Sequence, residues 1–138
     1  AKRQMYKNTV VFREDNRRVP SINWLYMQLN KELFDNELPK DLKIRMNGRL
    51  KSCLGQAFYV YDGNANMVPT KIEINKGHKW TPRFLRKIMT HEMVHIWAYQ
   101  THNNDKHGPK FWNKMKELGY PKTHCWDNAL SFEKDIYS

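Results

Sequence analysis

The chain has 138 residues, with 40% hydrophobic and 28% charged side chains, a length and composition suited to one soluble domain and too short for two of ordinary size. No apolar run approaches the length of a bilayer span, and Ala1 to Phe12 lacks the apolar stretch of a secretory signal. Lys and Arg number 24 against 14 Asp and Glu, and the resulting net charge of +10 attracts polyanions, nucleic acid first among them.

From the N-terminus, Val10 to Phe12 reads as a short strand and Glu14 to Arg18 as a polar turn. Pro20-Ser21 starts a helix, with Ser21 as cap. Ile22, Leu25, Tyr26, Leu29 and Leu33 follow at helical spacing, and Pro39 closes the element. Leu42, Ile44 and Met46 alternate with Lys43 and Arg45, the period of a half-buried strand. Gln56 to Tyr61, rich in aromatic and β-branched residues, reads as a second strand, followed by turn residues Asp62-Gly63-Asn64. Ile72 and Ile74 alternate with Lys71, Glu73 and Asn75 as a third. The short spacings favour antiparallel neighbours.

Thr81-Pro82 combines a cap with a proline at the first helical position, and predicts a helix to about Tyr99 or Gln100. Asn103-Asn104-Asp105 breaks it. Gly108-Pro109 begins another helix, which Gly119 and Pro121 stop, and a short terminal helix is expected beyond. The predicted order is one helix, about three strands and two helices, an α+β pattern. A single domain is expected over residues 1–138. Its core lies at about 21–119, between a basic N-terminal segment (1–20) and a C-terminal tail (120–138). Cys53 and Cys125 are far apart and neither sits in a Cys-x-x-Cys pair, so no ribbon-type zinc site is encoded and reduced thiols are expected. The expected setting is intracellular, in the cytoplasm or the nucleus or nucleoid.

The chemistry concentrates on the second helix. His91-Glu92-Met93-Val94-His95 is a His-Glu-x-x-His motif. Residues four apart lie one turn above each other, so two imidazoles reach one metal ion from a straight helix. Zinc suits neutral imidazole nitrogens, and Glu92 beside that face can act as general base. Phe84, Ile88, His91 and His95 form one stripe, and Met89, Met93 and Trp97 cover another face. A helix this buried needs partners for its imidazoles, and a metal is the simplest. A third ligand is required, and His102, His107 and Glu117 are the candidates on residues alone. A group opposite the metal must also steady the transition state, and Tyr59, Tyr61 and His124 are open choices.

His91-Glu92-x-x-His95, followed by Asp105-x-His107-Gly108-x-x-Phe111 and Met115, resembles the SprT-like zinc metalloproteases with the Spartan-type catalytic domain. Asn30-x-x-Leu33-Phe34 with Leu38-Pro39, Gly55 before an aromatic strand, and Ile72-Glu73-Ile74-Asn75 are similar to the family's earlier elements. The resemblance covers roughly Ser21 to Gly119. It implies a small zincin-like domain with an antiparallel sheet whose edge borders the cleft. It implies one catalytic Zn2+ held by His91, His95 and His107, with Glu92 as the catalytic glutamate. It also implies protein substrates bound or crosslinked to DNA, and a place in DNA repair. The paired cysteines of a zinc ribbon, carried by many relatives, do not occur here.

The resulting expectation is a monomeric zinc endopeptidase that meets single-stranded or duplex DNA and no membrane. Its rivals are a general metallopeptidase without a nucleic-acid partner, and a non-catalytic, zinc-stapled nucleic-acid-binding module. The candidate nucleic-acid contacts are Lys106, Lys110, Lys114, Trp80, Arg17 and Arg18. Trp80, between Lys79 and a helix cap, is expected to be exposed for base stacking. Lys110 and Lys114 share a helix face.

Overall fold

The computed structural model describes residues 21–50, 53–78 and 80–121; the expected strand at Val10 to Phe12, the turn at Glu14 to Arg18 and the terminal helix lie outside them. Helix α1 spans Ile22–Phe34 and is capped by Ser21, whose side chain accepts from the Trp24 amide. Strands β1 (Lys43–Asn47), β2 (Gly55–Tyr61) and β3 (Met67–Asn75) follow, then helices α2 (Pro82–Thr101) and α3 (Pro109–Glu117). Thr81 caps α2 through the Phe84 amide.

The three strands lie in the order β1-β3-β2. Strand β2 pairs antiparallel with β3 across the turn closed by Asp62, as the short spacing predicts. Strand β1, however, pairs with β3 in parallel, Ile44 opposite Ile72 and Met46 opposite Ile74. The sheet is therefore mixed, and the expectation of a wholly antiparallel sheet is corrected. The reason is that the hairpin β2–β3 folds back so that β3, not β2, lies beside β1. The connection after β1 then passes over the end of β3 to the far edge. Asn75 holds that crossing: its side-chain amide donates to the carbonyls of Leu50 and Cys53, at 3.1 and 3.0 Å, and its backbone N–H donates to Leu54. Cys53 is buried, and Cys125 lies outside the described residues.

The ladder β2–β3 is irregular between Phe58 and Tyr59, where Pro69 stands opposite. Proline cannot donate to a ladder, so it is tolerated at such a break. Beyond the break Tyr59, Val60 and Tyr61 rise into solvent, Tyr61 being 62% exposed.

The core lies between the sheet and the helices. Leu25, Leu29, Ile44, Ile72, Ile74, Leu85, Ile88, Met89, Met93 and Ile96 are all buried in it. Twelve of the twenty residues of α2 are buried, His91, Glu92 and His95 among them. No helix among the described residues is long and apolar enough to cross a membrane.

Candidate active site

Helix α2 presents His91 and His95 one turn apart, and the loop after it returns His107 to the same place. The nitrogen donors of the three imidazoles lie within 4.8 Å of one another, a group able to hold a metal ion. The Nε2 atoms of His95 and His107 approach to 3.0 Å. Ring centroids are 5.1 Å apart for His91 and His95, and 5.3 Å for His91 and His107. Phe111, fully buried on α3, lies edge-on or tilted against all three rings at 4.8, 4.7 and 5.0 Å, and forms the floor of the cluster.

The loop that carries His107 is built by its neighbours. The Asp105 carboxylate accepts from the Lys110 amide at 2.6 Å and from the Phe111 amide at 3.2 Å, satisfying the first turn of α3. A Cβ on Gly108 would lie 2.8 Å from that carboxylate, so any larger residue there would push Asp105 off the amides it caps. His107 is thus pinned between a capping aspartate and the glycine that makes room for it.

Glu92 is held from the sheet side. A Cβ on Gly55 would meet the Glu92 side chain at 3.1–3.3 Å, so the bare backbone of β2 lets the carboxylate lie against the strand. The Ala57 amide donates to that carboxylate, and Oε2 is buried with no hydrogen-bond partner among the described residues. Burial pushes the Glu92 carboxyl up to about 8, with the Ala57 amide opposing. Burial, reinforced by the charge of His107, pushes His95 down to about 3 and keeps its imidazole neutral, the form that ligates a metal.

Tyr99, one turn beyond His95, stacks on it at 6.3 Å, and its hydroxyl reaches the Ala57 carbonyl at 3.5 Å. Burial, then the nearby Glu92 carboxylate, raises its phenol. Tyr59 packs on Tyr99 at 4.8 Å, with Tyr61 edge-on to Tyr59 at 5.3 Å, so Tyr59 borders the site and Tyr61 stands one ring further out. His124 lies outside the described residues. Tyr99 and Ala57 are additions to the residues picked from the sequence. The continuation of the stripe 91, 95, 99 could have found Tyr99. Ala57 acts through its backbone, which no side-chain pattern reveals.

Of the three candidates for the third position, His107 joins the cluster. His102 is the exposed residue closing α2 in a left-handed conformation, and Glu117 is exposed and bonded to Lys114 at 2.8 Å. The nucleic-acid candidates separate. Lys106 and Lys110 are exposed. Lys114 is not an open cation: its side chain is only 14% exposed, bound to Glu117, with its ammonium over the rings of Trp97 and Phe34. Trp80 also corrects the expectation. It is 1% exposed, donates its indole N–H to the Asn75 carbonyl at 2.7 Å and stacks with Phe84, so it anchors the entry to α2 and has no face for a base. Polar neighbours in sequence made it look exposed, while the indole turned inward. Arg17 and Arg18 lie outside the described residues.

Two comparisons with known proteins bear on this arrangement. The DNA-dependent metalloprotease SPRTN of Xenopus tropicalis is 28% identical over 103 residues, covering 72% of this chain and 23% of the relative. The chain thus spans about a quarter of that relative's length. The model of the SprT-like family matches residues 22–130, which include every helix and strand described above. The chain belongs to the SprT-like family.

Proposed function

We propose that this protein is a zinc-dependent endopeptidase of the His-Glu-x-x-His type that acts on proteins bound or crosslinked to DNA. His91, His95 and His107 are the zinc ligands and Glu92 is the general base. The observation that carries the reading is the convergence of three imidazoles beside a buried carboxylate with an unsatisfied oxygen. Structural polar groups are normally satisfied by the fold, and those left open at a cleft serve a ligand or a reaction.

The donor set fits zinc. Four ligands at about 2.0–2.1 Å in a tetrahedron place neighbouring donors roughly 3.4 Å apart. The imidazole nitrogens lie 3.0 to 4.8 Å apart, so small ring rotations suffice. When bound, zinc supplies Lewis-acid polarisation of an oxygen in the cleft. Phe111 beneath the rings and Tyr99 beside His95 restrict how the imidazoles turn. Glu92, steadied by the Ala57 amide, takes the proton of the attacking water and returns it to the leaving amine. Of the tyrosines picked from the sequence, Tyr59, packed on Tyr99 at the rim, is the one placed to donate to the developing oxyanion.

The DNA-linked substrate class rests on the net charge of +10 and on the relative's description as DNA-dependent. The test is cleavage of a DNA-binding protein by the zinc-loaded chain, with and without single-stranded and duplex DNA, beside Glu92→Gln. Cleavage that requires Glu92 and is raised by DNA supports the reading. Cleavage that requires Glu92 but ignores DNA leaves a general zinc peptidase. Bound zinc with no cleavage under any condition would overturn the enzymatic assignment in favour of a metal-stapled binding module.

A further inference from the structure

A second feature stands apart from the histidine cluster. Between the first turns of α2 and the chain leaving α3 lies a cavity of about 640 Å³. Arg83, Arg86 and Lys87 line one side, and Tyr120, between Gly119 and Pro121, lines the other; no described lining residue is acidic. The three cations are three and four residues apart on one helix, so they share a face. Arg86 is fixed in place: its guanidinium donates to Glu32 at 3.0 Å and to the Tyr120 hydroxyl oxygen. Phe84, half-buried on the stacked rings of Trp80, adds an aromatic wall.

We infer that this cavity is a binding site for single-stranded nucleic acid, with Arg83 and Lys87 on backbone phosphates and the rings of Tyr120 and Phe84 against bases. The inference deepens the DNA-linked reading above and rests on it. The chemistry is specific to a single strand. A row of cations tracks phosphates, and aromatic walls offer stacking that only unpaired bases can use. Its position suits the proposed substrate. Arg83 and His91 are eight residues apart on one helix, about 12 Å along its axis, so a strand held here lies beside the cleft and brings its attached protein with it.

The experiment is fluorescence anisotropy of a labelled single-stranded oligonucleotide titrated with the zinc-loaded protein over a range of salt. Arg83→Ala/Lys87→Ala is compared with Lys106→Ala/Lys110→Ala and with Tyr120→Ala. Arg86 is left intact because it ties α2 to Glu32. The Arg83/Lys87 variant is expected to bind at least tenfold more weakly and to flatten the plot of log affinity against log salt by about 1.4, two phosphates at about 0.7 each. Tyr120→Ala weakens single-strand binding without changing that slope. Zinc content and cleavage of a DNA-free peptide stay as in the parent, which shows that the variants fold. Parental affinity and slope in the Arg83/Lys87 variant, with the parent binding DNA, would overturn the site and leave the DNA-linked function standing. No binding by the parent at low salt would overturn both. Duplex bound as tightly as single strand would overturn the stacking role and with it the single-strand assignment.

Discussion

Two buried polar side chains, Asn30 and Glu92, meet opposite fates. Asn30, fully buried on α1, donates to the Leu38 carbonyl at 3.0 Å and accepts from the Leu38 amide at 3.1 Å. The fold answers it, and in return it ties the helix to the chain that leaves it. Glu73 is answered in the same way by Asn47, Arg45 and Lys71. Glu92, 2% exposed in the middle of α2, keeps an oxygen that no described residue satisfies, beside three imidazoles that crowd one point. Burial alone does not separate a structural polar group from a reactive one; what separates them is whether the protein completes its hydrogen bonds.

The sharpest break in that contrast comes from Glu92→Gln. With Glu92 as the general base proposed above, kcat/KM is expected to fall by about 10²–10⁴, while the melting temperature holds or rises, since a carboxylate that burial disfavours is gone. A clear drop in melting temperature would put Glu92 in the same class as Asn30. Next is removal of metal with a chelator. At metal a hundredfold above its Kd, the proposed ligation by the three histidines would stabilise the fold by about 2.7 kcal/mol. Stripping should lower the melting temperature by roughly 10 °C, and His107→Ala should make the protein indifferent to chelator. Calorimetry with and without zinc decides it.

Asn30→Ala is expected to cost about 1–3 kcal/mol in denaturant unfolding, because both Leu38 groups lose their partner, while the specific activity of the folded protein stays unchanged. The smallest expected effect is Gly55→Ala. The new Cβ presses on Glu92, so kcat falls about tenfold, worth about 1.4 kcal/mol, with KM and metal content unaltered. In a Glu92→Gln background the same change should cost little further activity, and an equal loss in both backgrounds would show that Gly55 matters for the strand and not for the carboxylate.

Much of this arrangement was legible in the sequence because it is local. The caps at Ser21 and Thr81, the alternation in β1 and β3, and the stripe of His91 and His95 all follow from spacing within one element. The resemblance added His107, which the residues alone had offered only as one candidate beside His102 and Glu117. What stayed hidden depends on pairing across the chain. The parallel register of β1 with β3 is set by the loop that Asn75 pins. The inward turn of the Trp80 indole is set by the Asn75 carbonyl. Lys114, read as an outward cation, is drawn onto Trp97 and Phe34 by rings from two other helices.

The segment between α2 and α3 also bears on how such a chain can vary. It is closed at one end by His102 in a left-handed turn and at the other by Asp105 holding the first amides of α3. His107 must arrive within that span. An insertion or deletion of one residue there would swing the imidazole away from α2 even if both helices survived. The Asp62 hairpin tip, exposed and bonded mainly to itself, carries no such demand. Lineages of this fold should therefore accumulate length changes at 62–66 and keep the spacing from His95 to His107 fixed, as a ruler that drift cannot stretch.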